Sequence, residues 1–249
     1  MQPPSRPPVR LYCFPHAGAT SLVYRGWQAL GEPHLLVRGV DAPGRGTRRQ
    51  ERKAAGFHAL VRCMAEQVVA DLLTERERTP GLRWATFGHS FGSTTSLAVA
   101  AEVTRQVGVA PERAVLSGAV PPRLQRPGPL LDSVPDDELL ARTAADGGTP
   151  PAVLADPTMS RILLRMLRED DAVRAEFATE AAGLRVDFPL TLIGAREDVH
   201  APPEKVWQWA AHSSVPARRV EIDGGHFAAV QRPKDTLAGI VDDIDPGKG

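Results

Sequence analysis

Apolar residues fall along this chain in short blocks, and the blocks alternate between two spacings. Val9 to Phe14 and His34 to Val40 are compact runs of strand length. From Gly56 to about Arg78 the apolar positions Leu60, Met64, Val68 and Leu72 recur every four residues, which predicts a helix with one buried stripe. Arg83 to Phe87 predicts a strand, and an Ala- and Thr-rich helix runs from Gly92 to about Gln106. Ala114 to Gly118, Asp187 to Gly194 and Ala217 to Ile222 predict three more strands, and Pro233 to Ile244 a last helix. Strand and helix alternate, so the pattern predicts an α/β fold with a mainly parallel sheet covered on both faces.

One stretch breaks that alternation. Pro121 to Pro129 reads as a Pro-rich connector. Asp136 to Ala144 reads as a short helix with Ser133 or Asp136 as N-cap. Gly147-Gly148-Thr149-Pro150-Pro151 reads as a break. Pro157 to about Leu184 predicts one or two further helices, with Ile162, Leu163, Met166 and Leu167 on an apolar face. A stretch this long is more than a crossover helix needs. Residues 121–185 are therefore expected to form a helical lid inserted into a single domain spanning 1–249.

Composition narrows the classes. Thirty basic and thirty acidic side chains balance, so no general attraction to nucleic acid or to an anionic membrane follows. No apolar run approaches membrane-spanning length, and the Pro-rich N-terminus lacks the apolar core of a signal peptide. Two cysteines, Cys13 and Cys63, do not make a disulfide framework. A cytoplasmic monomer is expected. There is no metal-ligand spacing, dinucleotide fingerprint or P-loop, so neither metal nor cofactor is expected.

The chemistry concentrates at Gly88-His89-Ser90-Phe91-Gly92. G-x-S-x-G is a weak pattern by itself. Its setting, between an apolar strand and a small-residue helix, is that of a nucleophile elbow. Ser90 would sit on a sharp turn at a helix N-terminus, where the dipole favours developing negative charge. A serine hydroxyl needs a base. His226, in Asp223-Gly224-Gly225-His226-Phe227 directly after the last strand, is the candidate. His200 is the weaker competitor, His89 reads as a packing residue, and His16 as a lining residue. Asp198, beyond the strand ending at Gly194, gives the chain order Ser, Asp, His of α/β-hydrolases. Glu197 and Asp223 are its competitors. The oxyanion would be held by the Phe91 amide and by one from the loop after the first strand, with Ala17 preferred over His16. The basic run Arg45, Arg48, Arg49, Arg52 and Lys53 reads as a solvated loop, or more sharply as a surface for an acidic partner.

The chain then resembles a known family, the type II thioesterases of polyketide and nonribosomal peptide synthesis. The resemblance runs over nearly the whole length. It is carried by Leu11 to Gly18, Tyr24-Arg25-Gly26-Trp27, Pro43-Gly44-Arg45, the elbow, Pro135 to Leu140, Gly147 to Pro151, the Asp198 loop and Gly224-Gly225-His226-Phe227. It implies a stand-alone editor that hydrolyses acyl thioesters on the phosphopantetheine arm of carrier proteins, under a mobile lid. By position it implies Ser90, Asp198 and His226 as the triad and Ala17 and Phe91 as oxyanion donors. The chain departs from the family pattern at Phe91, where Leu or Met is usual, and at Gly18-Ala19-Thr20, where a second Gly is common. The competing expectations are an acyltransferase or cyclising enzyme using the same acyl-serine, an ordinary carboxylesterase, and a non-catalytic binding module.

Overall fold

The computed structural model describes residues 6–126, 128 and 130–246. Met1 to Ser5 of the Pro-rich N-terminus, and Pro127 and Pro129 of the connector, lie outside the described residues. The elements in chain order are β1 (Val9–Phe14), α1 (Trp27–Gly31), β2 (Leu35–Gly39), α2 (Phe57–Arg78), β3 (Arg83–His89), α3 (Phe91–Val107) and β4 (Ala114–Ser117). After these come α4 (Asp136–Asp146), α5 (Pro151–Ala155), α6 (Pro157–Glu180), β5 (Leu190–Ala195), α7 (Pro203–Val206), β6 (Arg218–Ile222), α8 (Ala228–Gln231) and α9 (Pro233–Ile244).

The six strands form one sheet in the order β2-β1-β3-β4-β5-β6. Every pairing is parallel. Along β1 the side chains alternate between two buried faces. Tyr12 and Phe14 pack with α2 and α3 residues such as Val68, Leu97 and Val103. Val9, Leu11 and Cys13 pack with Trp27 of α1 and with Leu237, Ile240 and Ile244 of α9. This explains why the strands read as continuous apolar runs: a parallel sheet buried on both faces leaves no polar side. Cys13 is buried within β1, and both cysteines are free.

The chain steps one way along the sheet from β1 to β2, then returns past β1 and runs the other way from β3 to β6. That reversal lies between β1 and β3, whose ends coincide through the pairing of Phe14 with Gly88. Loops leaving the carboxyl ends of two such strands diverge and open a crevice. The fold therefore places the Pro15–Ala19 loop beside the Ser90 elbow.

The helical stretch between β4 and β5 differs from expectation in the cap of α4, in a short extra helix and in the apolar face of α6; that α6 is a single helix falls within it. The N-cap of α4 is Pro135, with no side-chain cap, rather than Ser133 or Asp136. Its first turn instead holds Asp136, Asp137 and Glu138, which favour the positive end of the helix. Part of the expected break is a short helix, α5, started by Pro151. The last piece is one helix, α6, capped by Asp156, whose side chain accepts from the Thr158 and Met159 amides at 2.8 and 2.9 Å. On α6 the buried pair is Leu163 and Leu164, while Ile162 is exposed. Among the described residues no helix is long and apolar enough to cross a membrane.

Candidate active site

Ser90 is the only non-glycine described residue in the left-handed region, at φ 54 and ψ −122. Such a conformation is costly for a residue with a Cβ and persists only where its surroundings dictate it. Here they do. A Cβ on Gly88 would lie 2.1 Å from the Gly92 carbonyl oxygen, and one on Gly92 would lie 2.1 Å from that of Phe14. Only glycine at both positions lets α3 start so close to β3 and β1. The Ser90 amide donates to the Ser117 carbonyl at 2.8 Å. The buried Ser93 hydroxyl sits 2.7 Å from the Gly88 carbonyl and accepts from the Ser117 amide at 3.0 Å. The elbow is thus tied to β4 on both sides of the turn.

The β5–β6 pairing continues past the sheet and carries Asp198 to His226. The Arg196 amide donates to Ile222 at 2.9 Å and the Glu197 amide to Gly224 at 3.1 Å. Gly224 has φ +100, which favours glycine. The outcome is a 2.8 Å contact between His226 Nδ1 and Asp198 Oδ2. The other carboxylate oxygen accepts the His200 and Ala201 amides, each at 2.9 Å. Burial alone would raise the Asp198 carboxyl. The His226 hydrogen bond and charge, with those two amides, outweigh it and hold the group below its usual range. The competitors face elsewhere. Glu197 is exposed, and Asp223 pairs at the surface with Arg196 at 2.6 Å.

The other histidines have different surroundings. His89 is buried beneath His226, ring centroids 4.8 Å apart, with Nδ1 3.2 Å from the Ser117 hydroxyl. Burial, then the His226 charge, pushes its pKa well below the usual range. His16 is buried against Phe227, and the same two causes lower it to about 4. Both rings stay neutral near pH 7, so neither competes with His226 for a proton. His200 keeps its ring half-exposed and pairs with Asp146, the last residue of α4, at 2.8 Å.

Ser90, His226, Ala17 and Phe91 all line one cavity of about 640 Å³. Its other walls include Leu124, Leu130, Leu131 and Leu167 from the helical stretch. The Ser90 hydroxyl makes no protein hydrogen bond among the described residues. His226 Nδ1 is taken by Asp198, so Nε2 is the nitrogen left for the cavity. Catalytic hydrogen bonds of this kind commonly tighten only with substrate in place. Neither the Ala17 nor the Phe91 amide has a protein acceptor among the described residues. No group of three or more His, Cys, Asp or Glu suited to a metal occurs among them.

The basic run is only in part the solvated loop expected: Arg49, Arg52 and Lys53 are exposed, and Arg45 is the main departure. Arg45 is largely buried and binds Asp170 of α6 at 2.6 Å, with Glu169 at 3.2 Å and the Met166 carbonyl at 3.3 Å. Lys53 also pairs with Glu169, while Arg49 and Arg52 are exposed. Asp170 in turn accepts the Gly18 amide at 2.8 Å. Burial pushes its carboxyl above the usual range, and Arg45 and the Gly18 amide offset this only in part. Next to it, Asp171 accepts the Leu131 amide at 2.8 Å and binds Arg174 at 2.8 Å. Neither acid was singled out by the sequence, where Glu169-Asp170-Asp171 looks like an exposed charge run.

The comparisons agree with this geometry. The family model described as Thioesterase domain matches residues 9–245. The thioesterase PikA5 of Streptomyces venezuelae is 32% identical over 219 residues, covering 88% of this chain and 75% of the relative. The solved structure of RedJ, a thioesterase of the prodiginine biosynthetic pathway in Streptomyces coelicolor, superposes with a TM-score of 0.77 at 30% identity, covering 98% and 95% of the two chains. The type II thioesterase BorB of the borrelidin biosynthetic cluster superposes at 0.76 with 27% identity, covering 97% and 94%. A match along the whole sheet, the elbow and the late loops leaves one assignment: the chain belongs to the thioesterase family, hydrolases of acyl thioesters built on the α/β-hydrolase fold.

Proposed function

We propose that this enzyme clears acyl groups from the phosphopantetheine arms of carrier proteins, with Ser90 as nucleophile, His226 as general base and acid, and Asp198 orienting the imidazole. One observation carries the reading: Ser90, His226, Ala17 and Phe91 line a single cavity, and the Ala17 and Phe91 amides have no protein acceptor among the described residues. The biosynthetic settings of RedJ and BorB support a carrier-bound substrate. The reading takes the enzyme as a monomer and places it in the cytoplasm with its synthase. Residues 121–185 act as a lid over the acyl chain, in a single domain.

Ser90 Oγ attacks the thioester carbonyl carbon as its proton passes to His226. The Ala17 and Phe91 amides hold the resulting oxyanion. Collapse breaks the C–S bond, and the leaving sulfur takes the proton from His226. The acyl-Ser90 ester then meets water, which gives a proton to the same imidazole. Collapse breaks the C–Oγ bond, returns the proton to Ser90 and frees the acid.

The test is a panel of acylated carrier proteins incubated with enzyme and read by mass spectrometry. Wild type should release free acid, and Ser90→Ala should lose on the order of 10⁴-fold or more. Unchanged release by Ser90→Ala contradicts the nucleophile. An ester, lactone or amide product in place of free acid contradicts hydrolysis.

A further inference from the structure

The proposed mechanism leaves a buried carboxylate unused. Asp170 sits on α6, and its Oδ2 takes both the Gly18 amide and the Arg45 guanidinium, at 2.8 and 2.6 Å. Gly18 directly follows Ala17. The Ala19 amide closes the turn onto the His16 carbonyl at 3.1 Å, and Gly18, third in that turn, has φ +74. That is the conformation a type II turn asks of its third residue.

Glycine at that position also tolerates the opposite orientation of the peptide before it. The turn alone therefore does not decide which way the Ala17–Gly18 peptide points. The helix above decides it. A Cβ on Gly18 would meet Leu163 at 2.8 Å and Leu167 at 2.9 Å, so α6 lies directly on the turn. Leu163, Leu167 and Asp170 are spaced three and four apart, on one helix face. Two of them press on the Gly18 Cα side and the third takes its amide.

We propose that Asp170 is a positioning residue for the oxyanion site: by taking the Gly18 amide it anchors the His16–Ala19 turn against α6, and so holds in place the backbone that carries the Ala17 amide at the cavity wall. This rests on the reading of Ala17 as an oxyanion donor. Arg45 has a second task in the same arrangement. A carboxylate one residue from an oxyanion donor would oppose the charge that develops there. The buried Arg45 guanidinium balances it. On this view α6 is a fixed brace of the catalytic loop as well as part of the lid.

The test compares Asp170→Ala, which removes the acceptor, with Asp170→Asn, which keeps an oxygen in the same place. Asp170→Ala should lower kcat by about 10- to 100-fold with KM within about twofold. It should weaken a trifluoromethyl ketone analogue of the substrate, whose serine adduct carries an oxyanion, by the same factor. Asp170→Asn should stay within about threefold of wild type on both readouts. If Asp170→Ala does not fold, Asp170→Glu serves, since it keeps the charge for Arg45 and shifts the acceptor by one methylene; it should show the same kcat loss. A kcat within twofold of wild type in the variant that folds, an unchanged ketone affinity, or an equal loss in Asp170→Asn overturns the proposal. Ser90→Ala is run beside them. Activity in Ser90→Ala removes the underlying reading, whereas an inactive Ser90→Ala with an unaffected Asp170→Ala removes this inference alone.

Discussion

At the elbow, position is set by backbone crowding; the helical stretch above it adds charged side chains to apolar packing. Gly88 and Gly92 leave no room for a Cβ, and Ser90 takes its left-handed turn because α3, β3 and β1 crowd it. Besides the packing of Phe177 in the core and of Leu163 and Leu167 on Gly18, the helices above hold to the rest through Asp170 with Arg45, Lys53 with Glu169, and His200 with Asp146. Backbone packing of the first kind has few alternatives. Ion pairs at a surface contribute little and part easily, whereas a buried, hydrogen-bonded pair is costly to break. The helical stretch has both kinds. It is pinned firmly at Asp170, in the middle of α6, and weakly where the last residue of α4 meets His200. Such a segment is suited to admit an acyl chain from one side while holding the oxyanion loop still.

The sharpest test on the sheet-borne side is Asp198→Asn. Its amide still offers an oxygen to the His200 and Ala201 amides but no longer fixes the His226 tautomer. Activity should fall by on the order of 10³- to 10⁴-fold at pH 7, with thermal stability little changed. A loss below tenfold would mean that His226 is oriented by something else.

A middle-sized effect is expected from His16, which lies under the site. The folded protein keeps it neutral down to about pH 4, whereas an unfolded histidine takes up a proton near pH 6.5. Between these values the unfolded state binds the extra proton, so stability falls as pH falls. The full contribution is present above about pH 6.5, and up to about 3 kcal/mol is lost by pH 4. Urea midpoints across that range should drop less steeply in His16→Gln than in wild type. Identical slopes would show that His16 is not buried neutral. His89 shifts in the same direction and leaves a residual slope.

The smallest effect belongs to the weak pin. His200→Ala should cost no more than about 1 kcal/mol and change kcat/KM by less than about threefold. A hundredfold loss would make His200 part of the machinery and erase the contrast between the two attachments.

Much of the sheet-borne site was legible because its signals are local. Val9–Phe14 and Arg83–His89 are apolar runs, the elbow glycines sit beside Ser90, and His226 directly follows the last strand. Chain order pointed to the Glu197–Asp198 loop but could not separate the two neighbours; the structure shows Glu197 exposed and Asp198 buried against His226. The charged attachments were not legible. Arg45 and Asp170 stand 125 residues apart, and each belongs to a charge run that looks solvated when viewed locally. The cap of α4 misled for a related reason. Ser133 and Asp136 both flank its start, and only the chain's path shows that neither side chain caps it.

The central claim is that the strained Ser90 carries a nucleophile made basic by His226. Intact and peptide mass spectrometry after treatment with a fluorophosphonate examines it most directly. The account predicts one adduct per chain, on the peptide containing Ser90, and loss of thioester hydrolysis in step with labelling. Adduct on another serine, or full hydrolysis by a chain labelled at Ser90, would contradict it.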